Sequence, residues 1–188
     1  MNNIVTIKKK IQPFNKIISV DGDKSISIRW LLLSSQATGI SKAYGILKSD
    51  DILSTINCLK KLGVKIKFKN DYCEVIGVGL NGYKFKNNTT LNAGNSGTLA
   101  RLILGFLVHS NKNIKLIGDR SLSKRDFRRV IEPLKKFGAK FEGKKKGLPL
   151  IITGTNKPKN IYYLEKKGSA QCKSSVMLAA LNTPGQTS

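Results

Sequence analysis

"DILSTINCLKKLGVKIKFKNDYCEVIGVG" (51–79) and "DFRRVIEPLKKFGAKFEGKKKGLPLIITG" (126–154) read as two copies of one structural unit. Gly63 and Gly138 stand 75 positions apart, and in that register LKKLGVKI meets LKKFGAKF. Apolar residues recur at helical spacing in both copies: Ile52, Ile56, Leu59 and Leu62 in the first, Phe127, Val130, Ile131 and Leu134 in the second. That spacing predicts an amphipathic helix in each copy. The glycine after each apolar face suits the left-handed residue that closes a helix. Two short alternating stretches follow, predicting a strand pair joined by a polar turn. In the second copy the turn spans Gly143 to Gly147 with Lys144, Lys145 and Lys146 between them, so this lysine cluster is expected at a hairpin tip rather than in a nucleic-acid patch.

A second set of segments repeats with a similar period. These are "GDKSISIRWLLLSS" from Gly22, "GNSGTLARLILGFL" from Gly94 and "GSAQCKSSVMLAAL" from Gly168. Arg29, Arg101 and Lys173 are spaced by 72, and Ser25, Gly97 and Ser169 share that register. Each segment is a short polar loop feeding an apolar helix. The unit is then strand, polar loop, buried helix, strand, amphipathic helix, glycine and strand pair. Copies are expected over about 21–90 and 91–156, with a third begun at about 161 and running only through its first helix. Each helix start offers unpaired amides and the positive end of a helix dipole, which together suit an anion. Packing of the units around a pseudo-threefold axis would bring the three starts to one pocket. Against this stands ordinary capping, in which Ser25 and Ser169 serve only as N-caps.

Composition narrows the class. The chain has 188 residues, 40% hydrophobic and 24% charged, which marks a globular domain or part of one. Its apolar stretches fall short of a membrane span, and the start "MNNIVTIKKKIQPF" has no apolar segment of the signal-peptide type, so a cytoplasmic protein is expected. Cys58, Cys73 and Cys172 share no metal-like spacing with His109, the one histidine; all four are read as structural or incidental, and no metal is expected. Lys+Arg 34 against Asp+Glu 11 gives a net charge of +23, a field that attracts anions. Of those 34, 28 are lysines spread along the whole chain, so the charge alone selects no partner. Aromatic residues make up 7% and are not interleaved with the basic ones, which argues against base stacking.

Four segments, in order, carry a resemblance. "GDKSISIRWLLLSSQATG" is similar to the N-terminal signature of 5-enolpyruvylshikimate-3-phosphate synthase (3-phosphoshikimate 1-carboxyvinyltransferase). "LNAGNSGTLAR", "GDRSLSKRDFRRVIEPLKKFGA" and "GSAQCKSSVMLAALNTPG" resemble that family's Gly-Asn-Ala-Gly-Thr loop, its second arginine-rich segment and its Ser-Ala-Gln segment. The wording "GDKSIS" and "LNTPG" resembles the bacterial class II branch. The sister family, UDP-N-acetylglucosamine enolpyruvyl transferase, has a Lys-Asn pair where Lys24 and Ser25 stand and ranks second. A basic polyanion-binding module that keeps the fold without catalysis is the alternative of another class.

The resemblance implies an α/β fold of repeated βαβαββ units with helices buried under small sheets, in which residues 1–20 belong to a second domain and "NIVTIKKKI" is a strand of it. It also implies transfer of the enolpyruvyl group of phosphoenolpyruvate to the 5-hydroxyl of shikimate 3-phosphate, releasing phosphate, with no cofactor. Lys24, Ser25, Arg29, Ser169, Ala170 and Gln171 match shikimate 3-phosphate positions. Lys24, Gly97, Arg125 and Gln171 match phosphoenolpyruvate positions. Arginine forks and helix starts suit both substrates, which are multiply charged anions.

The chain departs from the family pattern at Asp21, Ile28 and Asp126, and an acid beside Arg125 is expected to weaken that arginine's grip. Arg120, Arg128 and Arg129 also lie near it, and most of these arginines are expected to face solvent. No acid of this chain lies in a segment like the family's catalytic carboxylates, which fall in the C-terminal half of its members. The expectation is an N-terminal fragment or one part of a split pair, inactive alone, with a C-terminal half as partner in trans. Neither nucleic acid nor a membrane is an expected partner, and a monomer is expected for the complete protein.

Overall fold

Both repeat copies form, with the same strand order. A computed structural model describes residues 6, 8–10, 12, 13, 15–144 and 146–188. The first unit comprises helix α1 (Lys24–Gln36), strand β1 (Thr38–Ala43), helix α2 (Asp50–Lys61) and strands β2 (Lys65–Lys69) and β3 (Tyr72–Val78). The second comprises β4 (Thr89–Asn92), α3 (Gly97–Leu107), β5 (Asn113–Ile117), a 3-10 turn (Leu122–Lys124), α4 (Arg128–Lys136), β6 (Lys140–Gly143) and β7 (Leu150–Thr153). Helix α5 (Ala170–Ala180) opens the third. One sheet has the order β1-β3-β2 and the other β4-β5-β7-β6, so β1-β3-β2 maps onto β5-β7-β6 with every pair antiparallel. The second sheet adds β4, parallel to β5 across α3. Gly63 at φ +90 and Gly138 at φ +108 follow α2 and α4 in the left-handed region, as the helix-closing role requires.

The third unit begins in the same way without a full strand. Residues 161–165 form no strand, contrary to the periodicity, yet the Ser188 amide donates to the Ile161 carbonyl (3.0 Å) and the Tyr163 amide to the Ser188 carbonyl (2.7 Å). These bonds run on either side of Tyr162 in the pattern of a parallel pair, the relation β4 has to β5. In the first unit no strand precedes α1 among the described residues. The strand expected over 3–11 lies for the most part outside the described residues, and the described residues of 1–20 form no strand.

The buried helices carry the frame. In α3 every residue except Arg101 is buried, because the apolar run lies against β7 and between α1 and α5. Helix α5 comes close to α3 at Gly105, where a Cβ would stand 2.4 Å from the Ser175 carbonyl oxygen. His109 secures the end of this contact: its Nε2 lies 2.7 Å from the Ala179 carbonyl and so donates the proton. Burial lowers the His109 pKa, which fits the structural role expected for it.

The helix starts correct the register. The N-caps are Asp23, Ser96 and Ser169, spaced by 73 rather than 72 (23, 96, 169). Ser25, Gly97 and Ser169 are therefore not equivalent: they are the second helical residue of α1, the first of α3 and the cap of α5. Arg29, Arg101 and Lys173 slip by one position in the same way. Ser25 is no cap, since the Asp23 carboxylate accepts from the Ile26 amide at 2.7 Å. Ser169 is one, its hydroxyl accepting from the Cys172 amide at 3.3 Å.

Lys144 and Lys146 lie in the connection between the antiparallel strands β6 and β7, as expected. The connection between β6 and β7 folds back on the segment carrying Arg125. The Phe127 amide donates to the Lys146 carbonyl (2.9 Å) and the Leu148 amide to the Ser123 carbonyl (3.2 Å).

Candidate functional site

The start of α3 gathers cations that, among the described residues, form no ion pair with a carboxylate. Ser96 takes the Leu99 amide on its hydroxyl (3.3 Å) and the Ala100 amide on its carbonyl (3.0 Å). The amides of Gly97 and Thr98 then point out of the helix start, toward the positive end of its dipole. A Cβ built on Gly97 would lie 2.8 Å from Arg125 Nη1 and 2.9 Å from Arg101 Nη1, so two guanidinium groups converge on this glycine. Arg125 donates to the neutral Asn95 Oδ1 (2.8 Å), and Asn95 Nδ2 donates to Asp119 Oδ2 (2.6 Å). The other Asp119 oxygen accepts from the Leu122 amide at 2.7 Å and so fixes the turn that delivers Arg125.

Arg101 is half-buried and also lacks an acid. Its contacts are the Gly97 carbonyl (3.4 Å), Gln171 Oε1 (2.9 Å), the Asp126 carbonyl (3.5 Å) and the Phe127 ring, 5.1 Å below the guanidinium. Burial, and next the like charge of Arg125, lower its pKa.

The acids nearby are engaged elsewhere. Asp126 does not neutralise Arg125, contrary to the expectation from its place in sequence. Its carboxylate accepts from Arg128 Nε (3.0 Å) and Nη2 (2.6 Å) and from the Arg128 amide, and the bond to the Arg128 side chain brings its pKa down to about 2. Glu165 takes Arg129 Nη2 (2.7 Å) and the Tyr163 hydroxyl, and the Tyr163 bond is the main cause of a pKa of about 2. Two of the expected solvent-facing arginines thus close ion pairs across the surface.

The α1 start differs. Lys24 pairs with Asp51 of α2 at 3.3 Å, and Arg29 Nη1 donates to the Ser25 carbonyl of its own helix at 3.2 Å. Arg29 also edges a largely apolar hollow of about 260 Å³ lined by Leu32, Leu102, Met177, Leu178 and Leu181 among others. Its lining suits apolar groups rather than a phosphorylated ligand. At the third start, Ala170 is exposed beside the Ser169 cap, and Gln171 reaches back to Arg101 and Thr98. The structure thus brings Gly97, Arg125 and Gln171 together. Among the described residues no hydrogen bond or ion pair joins Lys24, Ser25 or Arg29 to that group.

The resemblance assigns no role to Asn95, Thr98, Arg101 or Asp119. Asp119 had a readable signal: an acid three residues before Leu122 suits a cap. Asn95, Thr98 and Arg101 become functional candidates only through contacts 24 to 73 residues away.

The repeat topology defines an enolpyruvyl transferase fold, in which two arginines converge on the start of α3. The family model for EPSP synthase (3-phosphoshikimate 1-carboxyvinyltransferase) matches residues 8–188, and the chain belongs to that family. It is 45% identical over 180 residues, 94% of its length, to a protein named 3-phosphoshikimate 1-carboxyvinyltransferase from Ruthia magnifica subsp. Calyptogena magnifica. It is 44% identical over 184 residues to the protein of that name from Thermoanaerobacter sp. (strain X514), covering 97% of this chain. The solved EPSP synthase of Acinetobacter baumannii superposes with a TM-score of 0.84 at 38% identity, over 90% of this chain and 39% of that one. The chain spans 41% and 43% of the lengths of those two curated relatives. No helix among the described residues is long and apolar enough to cross a membrane.

Proposed function

We propose that this chain supplies the anion-binding part of a 3-phosphoshikimate 1-carboxyvinyltransferase, which moves the enolpyruvyl group of phosphoenolpyruvate to the 5-hydroxyl of shikimate 3-phosphate. The observation that carries the reading is the convergence of Arg125 and Arg101 on Gly97 with no carboxylate between them. Two guanidinium groups at a helix start, one of them half-buried, are costly unless an anion compensates them. Phosphoenolpyruvate, with a phosphate and a carboxylate, has the charge and shape for the Arg125 fork and the amides of the helix start. In this reading Arg125, Gly97, Gln171 and Lys24 hold phosphoenolpyruvate. Shikimate 3-phosphate falls to Lys24, Ser25, Arg29, Ser169, Ala170 and Gln171, with Lys24 leaving Asp51 for the substrate.

The reaction adds the 5-hydroxyl to the vinyl carbon as a base takes the hydroxyl proton and an acid protonates the methylene, then expels phosphate as a base removes a proton from the resulting methyl group. It needs a general acid/base able to exchange a proton near neutral pH. Asp126 and Glu165, both brought down to about 2 and held in ion pairs, are unsuited to that task. The acid/base function is assigned to a C-terminal half acting with this chain, in a cytoplasmic, monomeric assembly. Residues 21–188 are taken as the incomplete substrate domain and 1–20 as a segment of the other domain.

Phosphate release is measured with both substrates, for the chain alone and with a C-terminal half from one of the matched relatives. Release is expected only from the mixture. Release from the chain alone would place the acid/base here, and absence of saturable binding of either substrate at low salt would contradict the reading.

A further inference from the structure

Gln171 is held at both ends of its amide by residues of α3. Its Oε1 accepts from Arg101 Nη1 at 2.9 Å and its Nε2 donates to Thr98 Oγ1 at 3.1 Å. A guanidinium has no acceptor, so the amide cannot turn over without facing donor to donor. The carbonyl end is therefore committed to Arg101, and what Gln171 has left to offer a ligand is its second N–H. The same guanidinium touches the Gly97 carbonyl, the Asp126 carbonyl and the Phe127 ring, thereby linking the helix start, the Arg125 segment and α5. The Arg101 carbonyl adds a fourth tie, accepting from Ser175 Oγ of α5 at 3.0 Å. No acid pairs with Arg101 among the described residues, so ion pairing does not explain its place.

We propose that Arg101 is a positioning residue: it fixes the Gln171 amide so that an N–H donor, and not a carbonyl, faces an anionic ligand at the α3 start. The identity of that ligand as phosphoenolpyruvate rests on the function proposed above.

The chain labelled with 15N-glutamine tests this, with the Gln171 side-chain signals assigned by their loss in Gln171→Leu. Arg101→Ala should move the Gln171 NH2 pair to the position of an unrestrained glutamine and weaken phosphoenolpyruvate binding roughly tenfold. If Arg101→Ala does not fold, Arg101→Lys is read the same way, since an ammonium lacks the planar fork. Gln171→Glu should keep the melting temperature, because a carboxylate pairs with Arg101, yet bind phosphoenolpyruvate at least tenfold more weakly for want of the donor. An unmoved NH2 pair in the Arg101 variants, or unchanged affinity in Gln171→Glu, would overturn the proposal. If the wild-type chain binds no phosphoenolpyruvate while the NH2 pair follows Arg101, the positioning stands and the substrate reading falls.

Discussion

The starts of α1 and α3 occupy corresponding places in two units with the same strand order, and they carry opposite electrostatics. At α1 the cap is an acid, Asp23, and the first helical residue, Lys24, is paired with Asp51. At α3 the cap is a neutral serine, the first helical residue is a glycine, and two arginines converge on it without an acid. The repeat reproduces the scaffold, while the side chains at each helix start decide what it can hold. One start is neutralised from within; at the other, among the described residues, the arginines form no ion pair.

Arg125→Ala is the strongest test of that contrast. Arg125 is exposed, and among the described residues its side chain hydrogen-bonds to Asn95 alone, so its loss should leave the melting temperature nearly unchanged. Affinity for phosphoenolpyruvate should fall by about 1.5–3 kcal/mol, the worth of a charged hydrogen bond. Calorimetry at low salt measures it, because exposed charges are screened as salt rises. Unchanged affinity would remove Arg125 from the site.

Two glycines on α3 separate site from scaffold. At Gly105 an added methyl would meet the Ser175 backbone, which cannot step aside. Gly105→Ala should cost about 1–3 kcal/mol and lower the melting temperature by roughly 2–4 °C per kcal/mol. At Gly97 the methyl would meet the far end of exposed Arg125, which can swing away, and that of Arg101, whose tie to Gln171 it would strain. Gly97→Ala should melt close to wild type and bind phosphoenolpyruvate several-fold more weakly. A Gly97 variant that mainly unfolds would make this glycine a backbone requirement and return the helix start to plain capping.

The smallest effect is expected at the α1 start. Asp51→Asn releases Lys24, and an exposed pair of this kind contributes about 0–1 kcal/mol. Stability should hardly move, while shikimate 3-phosphate binding should tighten by up to a few-fold. Weaker binding in this variant would mean that Asp51 orients Lys24 rather than competing for it.

The fold was legible because it repeats. Period, helix-closing glycines and strand pairs all follow from local pattern, and the matching sheets report the same pattern. The helix starts were legible to within two residues: the spacing of 72 aligned the basic residues, while the caps obey 73. Cap position depends on which side chain turns back to the backbone, and Asp23 does so two residues before Ser25. The ties of Arg101 were not legible, because Gln171 and Ser175 reach it from 70 and 74 positions away. Nor was the fate of Asp126: adjacency in sequence put it beside Arg125, whereas the backbone turns its carboxylate to Arg128.

Titration of phosphoenolpyruvate into the 15N-labelled chain, followed at the backbone amides, tests the central claim most directly. The account predicts saturable shifts concentrated at residues 95–98, 122–127 and 170–172, with residues 23–26 responding weakly until shikimate 3-phosphate is added. Shifts confined to residues 23–26, or spread evenly over the lysine-rich surface, would contradict it.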